Sequence, residues 1–156
     1  MFGSISKAHK AYADKNYGIA LPIYEKAVAS KASDPLVYER LAGIYHNHGK
    51  YHEAIILLDQ MAKLEGQASG AYFRSGMKLF STFQFELAIE YFDRSLGNKP
   101  KNEGVVRFAK CRCLQLLGKL SNESSELSKL REVDSALYDE MVDIMQGKHN
   151  TFCYRL

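Results

Sequence analysis

The chain has 156 residues, 46% apolar and 25% charged, with three Cys, three Pro and no Trp, which is enough apolar content for a packed domain and too much for wholesale disorder. Its 21 Lys and Arg against 18 Asp and Glu leave a net charge of +3, spread evenly along the chain, so the basic footprint of a nucleic-acid binder is missing. Three cysteines are too few and too odd for a disulfide framework, and no stretch approaches the roughly 18 apolar residues that span a bilayer.

The elements follow in chain order. In residues 1–34 a first helical stretch is weakly patterned around Ser4, Ala8 and Ala11. Lys15-Asn16 interrupts it. A second stretch carries Tyr17, Ala20, Leu21, Tyr24 and Val28, the spacing of one helix face. Ser33-Asp34-Pro35 reads as a helix start, a capping side chain followed by Pro at N1. Residues 35–68 repeat the plan with Tyr38, Ala42 and Tyr45, a break at Gly49-Lys50, then Tyr51, Ala54, Ile55, Leu58 and Ala62. Residues 69–102 repeat it again with Tyr72, Gly76 and Leu79, then Phe85, Ala88, Ile89, Phe92 and Leu96. Between these runs lies Ser81-Thr82-Phe83-Gln84, where a hydroxyl is expected to cap the following helix. Gly97-Asn98-Lys99-Pro100 is a stop signal.

Residues 103–146 change character. VVRFAKCRCLQLLGKL predicts another helix ending near Gly118-Lys119-Leu120, one residue out of phase. A Ser- and Glu-rich helix is expected over 122–133, with Leu127, Leu130 and Val133 as its apolar face. A last helix over 135–145 offers Leu137, Met141, Ile144 and Met145. A polar cap at the end of a helical array has this composition. Residues 147–156 have no periodicity and are expected to form a loop or loose tail.

Laid in three rows of 34, the chain aligns without a gap over residues 1–102. The eighth column holds Ala8, Ala42 and Gly76, and the twentieth holds Ala20, Ala54 and Ala88. Small residues there let two antiparallel helices approach closely. The large residues of columns 17, 24 and 28 fill the space around that contact. Each unit is therefore two helices joined by a tight turn.

This pattern resembles the tetratricopeptide repeat (TPR) family, a 34-residue helix–turn–helix repeat. The second unit carries it best, in Tyr38, Leu41, Ala42, Tyr45, Gly49, Tyr51, Ala54 and Leu58. The resemblance covers about two thirds of the chain. It implies an all-α fold: an α-solenoid of antiparallel helix pairs, coiled as a right-handed superhelix of about nine helices, with residues 1–146 as a single domain. It also implies that the first helix of each pair lines a groove for a peptide or partner-protein segment, the work of an adaptor, scaffold or chaperone. Carried over residue by residue, the groove set is Tyr12, Glu39, His46, Asn47, Phe73, Met77 and Phe80, with Arg74 adding a polar contact. The stripe Phe73, Met77, Phe80 has the composition of a peptide-capturing face. One TPR subclass grips acidic tails of heat-shock chaperones. Its clamp positions fall here on Ile5, His9, Arg40, Gly70 and Arg74, and only Arg74 matches. Small three-repeat chains also resemble secretion chaperones of bacterial type III systems. The string KAYADKNYGIALPIYEKA resembles TPR segments that precede bacterial polysaccharide glycosyltransferase domains, so an accessory or regulatory role in such a system is the second reading.

Chemistry is sparse. His48 and His52 lie on either side of the Gly49 break, which suits no metal geometry. Cys111 and Cys113 sit about 200° apart on a helix, so a redox or metal pair is not expected and burial of at least one is. No Gly-rich phosphate loop and no nucleophile–base grouping occurs. No cofactor or metal is expected. An enzyme with a site in the C-terminal region, the second alternative, would have to use Asp143, His149 and Cys153. The N-terminal residues MFGSISKAHKAYADKNY lack a signal-peptide core, so a cytoplasmic protein is expected, with no membrane insertion and no nucleic acid among its partners. Leu137, Met141 and Ile144 offer a face through which terminal helices could pair two copies.

Overall fold

The computed structural model describes residues 2–65 and 68–148. Among them are nine helices and no strand: α1 (Phe2–Ala13), α2 (Tyr17–Ala29), α3 (Pro35–Asn47), α4 (Tyr51–Glu65), α5 (Ser69–Ser81), α6 (Phe85–Gly97), α7 (Glu103–Leu116), α8 (Ser125–Val133) and α9 (Ser135–Met145). The chain forms two compact units, Met1–Tyr72 and Phe73–Leu156, with the division inside α5.

The repeat is visible in the backbone. Column 15 is left-handed in all three turns inside the repeats: Lys15 (φ 58°), Gly49 (φ 74°) and Phe83 (φ 61°). Column 31 is left-handed at Lys31 (φ 52°) and Lys99 (φ 51°). A left-handed residue just past a helix end lets the chain reverse while its amide groups satisfy the last carbonyls. Here Asn16, Lys50 and Gln84 each donate their backbone N–H to the carbonyl of Ala11, Tyr45 and Leu79, at 2.8–2.9 Å. Gly118 (φ 66°) does the same work after α7, one residue out of phase as the sequence implies.

At the start of α3, Asp34 Oδ1 accepts from the Leu36 N–H at 3.0 Å and Pro35 stands at N1. The hydroxyls near residue 82 depart from expectation. Ser81 Oγ and Thr82 Oγ1 both donate back to the Lys78 carbonyl, at 2.7 and 3.2 Å. They close α5 instead of opening α6, whose N-cap Gln84 makes no side-chain capping bond. The helix expected over 122–133 begins only at Ser125, because Ser124 Oγ accepts the Ser121 N–H at 2.9 Å and holds a turn there.

In the first unit α2 packs on α1 and α3, and α3 on α4. Ala8, Ala20, Ala42 and Ala54 are buried at the helix contacts, with Tyr24, Leu41 and Leu58 around them. In the second unit α7 contacts α6, α8 and α9. That surround explains why both Cys111 and Cys113 are fully buried although they point to opposite sides of α7. Fully buried large apolar side chains such as Phe108 and Leu130 each contribute about 1.5–3 kcal/mol of transfer free energy. Column 24 is core throughout, as Tyr24, Leu58 and Phe92. Column 17 is half-buried, as Tyr17, Tyr51 and Phe85.

Candidate partner-binding faces

In the first unit Tyr12 lies on α1 between three neighbours. Its ring centroid is 5.5 Å from that of Tyr17, and the Arg40 guanidinium carbon sits 5.2 Å over it. Gly43 makes room for its hydroxyl: a Cβ at that position would lie 2.9 Å from Tyr12 Oη. Burial raises the Tyr12 and Tyr24 hydroxyl pKa values above the usual tyrosine range, so both remain protonated donors at neutral pH. Arg40 is itself held, donating from Nη1 to the His9 carbonyl at 3.1 Å. His9 Nδ1 lies 2.7 Å from Tyr24 Oη, and its Nε2 lies 3.2 Å from Asp34 Oδ2. The helix cap, a core tyrosine and the face around Tyr12 are thereby tied together. Glu39 is half-buried and Asn47 exposed at the end of α3. His46 is buried, with its ring edge-on to Tyr51 at 5.1 Å. It packs between α3 and α4, a different setting from an open groove.

In the second unit Phe73, Met77 and Phe80 occupy one face of α5 at i, i+4 and i+7, and all three are half-exposed. Phe73 leans on Phe92 with centroids 5.8 Å apart. Phe80 meets Phe85 at 5.6 Å, and Phe85 meets Phe83 at 6.1 Å. Phe83 is 80% exposed. Arg74 projects from an exposed position of the same helix. Phe108 and Arg112 of α7 are buried, with Arg112 Nη1 donating to Gln115 Oε1 at 2.6 Å, so they back the unit instead of lining an open face.

Sequence reasoning did not foresee the Arg40–Tyr12 stack, the His9 bridge or the exposure of Phe83. The last left a signal: column 15 holds Lys, Gly and Phe, and an aromatic is out of place at a left-handed turn.

No group of three or more metal-ligating side chains converges among the described residues. Burial pushes the Cys111 thiol up to about 11 and the Cys113 thiol up to about 12, which leaves both as inert thiols at neutral pH. Asp143 lies 3.7 Å from Lys148, while His149 and Cys153 fall outside the described residues. No helix among the described residues is long and apolar enough to cross a membrane.

Antiparallel helix pairs recurring every 34 residues, with a left-handed turn in one column, define a helix–turn–helix repeat protein. Residues 69–102 match the tetratricopeptide repeat family, which supports the resemblance of the 34-residue pattern to that family. The chain is 25% identical over 126 residues to "Small glutamine-rich tetratricopeptide repeat-containing protein 2" of Mycosarcoma maydis, covering 81% of this chain and 36% of that protein. It is 23% identical over 126 residues to "Hsp70-Hsp90 organizing protein 2" of Arabidopsis thaliana, covering 81% of this chain and 22% of that one. The chain thus spans only a minor part of the length of these relatives. Among solved structures the fold resembles a crystal structure of MamA protein, with a TM-score of 0.57 at 15% identity over 98% of this chain and 94% of that one. A second MamA structure gives 0.57 at 23% identity over 85% and 72%.

Proposed function

We propose that this chain is a protein–protein interaction module that captures a peptide or partner-protein segment in a groove lined by the first helix of each pair, as an adaptor. The observation that carries this reading is the α5 stripe of Phe73, Met77 and Phe80. Tyr91, Phe92 and Phe108 of the second unit are fully buried, whereas these three stand half-open in a row on α5. A contiguous aromatic and methionine patch of that kind is a recognition surface for an apolar anchor. Arg74 beside it supplies a donor for a partner carboxylate or carbonyl. In the first unit, Tyr12 is pre-positioned by Gly43 and Arg40, with Glu39 and Asn47 nearby on α3, and rigid placement lowers the ordering cost of binding.

The named relatives include proteins that organise Hsp70 and Hsp90. Capture of an acidic chaperone tail is nonetheless not the mode proposed here. Ile5 and Gly70 bring no charge to the clamp positions, and His9 already faces Asp34 at 3.2 Å.

Phe80→Ala and Met77→Asp test the reading. Both are expected to keep native helicity by circular dichroism and to lose, by about tenfold or more, the partners retained by the wild-type chain in affinity capture, since anchor truncations cost 2 kcal/mol or more. An acidic C-terminal peptide is expected to bind wild type and both variants equally weakly. Unchanged partner recovery with folded Phe80→Ala and Met77→Asp chains refutes the assignment.

A further inference from the structure

The second helix of each repeat carries a residue in column 23 of the 34-residue period. Leu57 and Tyr91 hold it in the second and third repeats and are buried, 6% and 0% exposed. In a helical array such a column faces the neighbouring repeat. Ile23 holds it in the first repeat and is half-exposed. Columns 3 and 7 tell the same story, for Val37 and Leu41 are buried while Gly3 and Lys7 are exposed. Beside Ile23 lies a cavity of about 430 Å³, bounded by Ser4 and Ile5 of α1 and Pro22, Ile23, Lys26 and Ala27 of α2. Ile19, 40% exposed, extends the apolar surface along α2. The helix α2 is thus apolar on two sides, and only one is covered by its own unit.

The other end of the chain offers a matching face. Met141 and Ile144 bury α9 against its own unit. Tyr138, Val142 and Met145 form a second stripe at i, i+4 and i+7, half-exposed along its length. The helix α9 carries Asp139, Glu140 and Asp143 and no basic residue, whereas α1 and α2 together carry Lys7, Lys10 and Lys26 against Glu25. Among the described residues, Arg131 lies 5.5 Å from the Tyr138 ring and Lys148 lies 3.7 Å from Asp143, both exposed.

We propose that α9 of one copy docks in the α1–α2 groove of a second copy. Tyr138, Val142 and Met145 seat against Ile5, Pro22 and Ile23, and Asp139 meets Lys26. The spacing is that of a helix read by its anchors in a groove. Opposite charge on the two faces brings them together and disfavours groove on groove or stripe on stripe. The contact uses none of Phe73, Met77 or Phe80, so it stands apart from the partner-binding face. Groove and stripe are different patches, so a copy that lacks one still offers the other.

Sedimentation velocity of the full chain, from about 1 µM to about 1 mM, reads the association. The mass is expected to rise with concentration, and to rise less at high salt. Ile23→Asp and Met145→Asp are each expected to weaken association tenfold or more. Mixed in equal amounts, they are expected to recover a one-to-one dimer, because each keeps the surface that the other has lost. The surface pair Lys26→Glu and Asp139→Lys leaves the core untouched. Each alone is expected to weaken association several-fold, and the two in one chain to restore it. A wild-type chain that stays monomeric throughout overturns the proposal. So does association that survives both aspartate variants, or a mixture of the two that remains monomeric while the charge-swapped double variant gains nothing.

Discussion

Tyr24 and Phe92 stand in the same column of the repeat, and both are fully buried, yet the two units hold them in different ways. In the first unit the Tyr24 hydroxyl lies 2.7 Å from His9 Nδ1, and His9 reaches on to Asp34. Arg40 donates to the His9 carbonyl and covers Tyr12. The packing there is fixed by directed polar contacts, each of which needs a particular geometry. In the second unit Phe92 has no such handle. It is fixed by shape, with Gly76 against its ring and Phe73 beside it. A charged cluster lies around Glu126 on α8. Its carboxylate lies 3.1 Å from Lys129, 3.4 Å from Lys110 and 3.5 Å from Arg107. One repeat plan therefore accepts two solutions to uniqueness, hydrogen-bond direction in one unit and steric fit in the other.

The sharpest way to break this contrast is to add one methyl group in each unit. A Cβ at Gly76 would sit 2.7 and 2.9 Å from Phe92 ring carbons. A buried ring cannot move aside without disturbing its own neighbours, so Gly76→Ala is expected to destabilise by about 1–3 kcal/mol. A Cβ at Gly43 would meet the Tyr12 hydroxyl at 2.9 Å, which is the far end of a half-exposed side chain. Gly43→Ala is expected to cost less than about 1 kcal/mol by the same reasoning. Urea denaturation of the two variants decides the matter, and equal costs would remove the distinction between the units.

The ionic cluster gives the next largest effect, and it depends on pH. Burial by itself would raise the Glu126 carboxyl pKa, but the hydrogen bond from Lys129 and the charge of Lys110 overcome it and hold the group below its usual range. A depressed folded pKa contributes stability above the unfolded carboxylate value of about 4.3, and that stability is lost as pH falls through the folded value. Glu126→Gln is therefore expected to cost about 1–2 kcal/mol at pH 7, since Lys110 keeps Asp93 at 2.6 Å and Arg107 keeps Glu103 at 2.8 Å as counter-charges. The difference from wild type shrinks as the pH drops below 4. A cost that is the same at pH 7 and pH 3 means that the carboxylate charge contributes nothing.

Much of this was legible in the sequence, for a physical reason. Small residues in columns 8 and 20 and large ones in column 24 are demanded by the close approach of two helices, so periodicity exposes them. The cap at Asp34-Pro35 and the reversals at Gly49 and Gly118 are local signals, and local chemistry decides them. What sequence could not supply were contacts between residues far apart in the chain. Arg40 over Tyr12 and His9 against Asp34 join positions more than 20 residues apart. His46 falls in a groove column, yet Tyr51 across the turn draws its ring into the helix interface. The Ser81 and Thr82 hydroxyls, expected to open α6, close α5 instead, because a hydroxyl between two helices can close the first as readily as open the second.

The smallest expected effect concerns the turn columns, and it carries a sign that sharpens the comparison between units. Phe83 holds a left-handed backbone (φ 61°) where Gly49 holds the equivalent turn (φ 74°). For a residue with a side chain that conformation costs about 1–2 kcal/mol. Its ring, 80% exposed, recovers little by burial beyond the edge contact with Phe85, a pair interaction of about 0.5–1.5 kcal/mol. Phe83→Gly relieves the strain, loses that contact and adds chain entropy to the unfolded state, about 0.5–1 kcal/mol. The terms nearly cancel, and the net is expected within about 1 kcal/mol of zero by the same figures. Thermal unfolding measures it directly. A larger loss would mean that Phe83 is a packing residue of the second unit, held by shape like Phe92. A result near zero leaves an aromatic ring that the fold does not need, on the same rim as Phe80 and Phe85. Loss of partner recovery in the folded Phe83→Gly chain would then extend the proposed recognition surface from α5 into the turn.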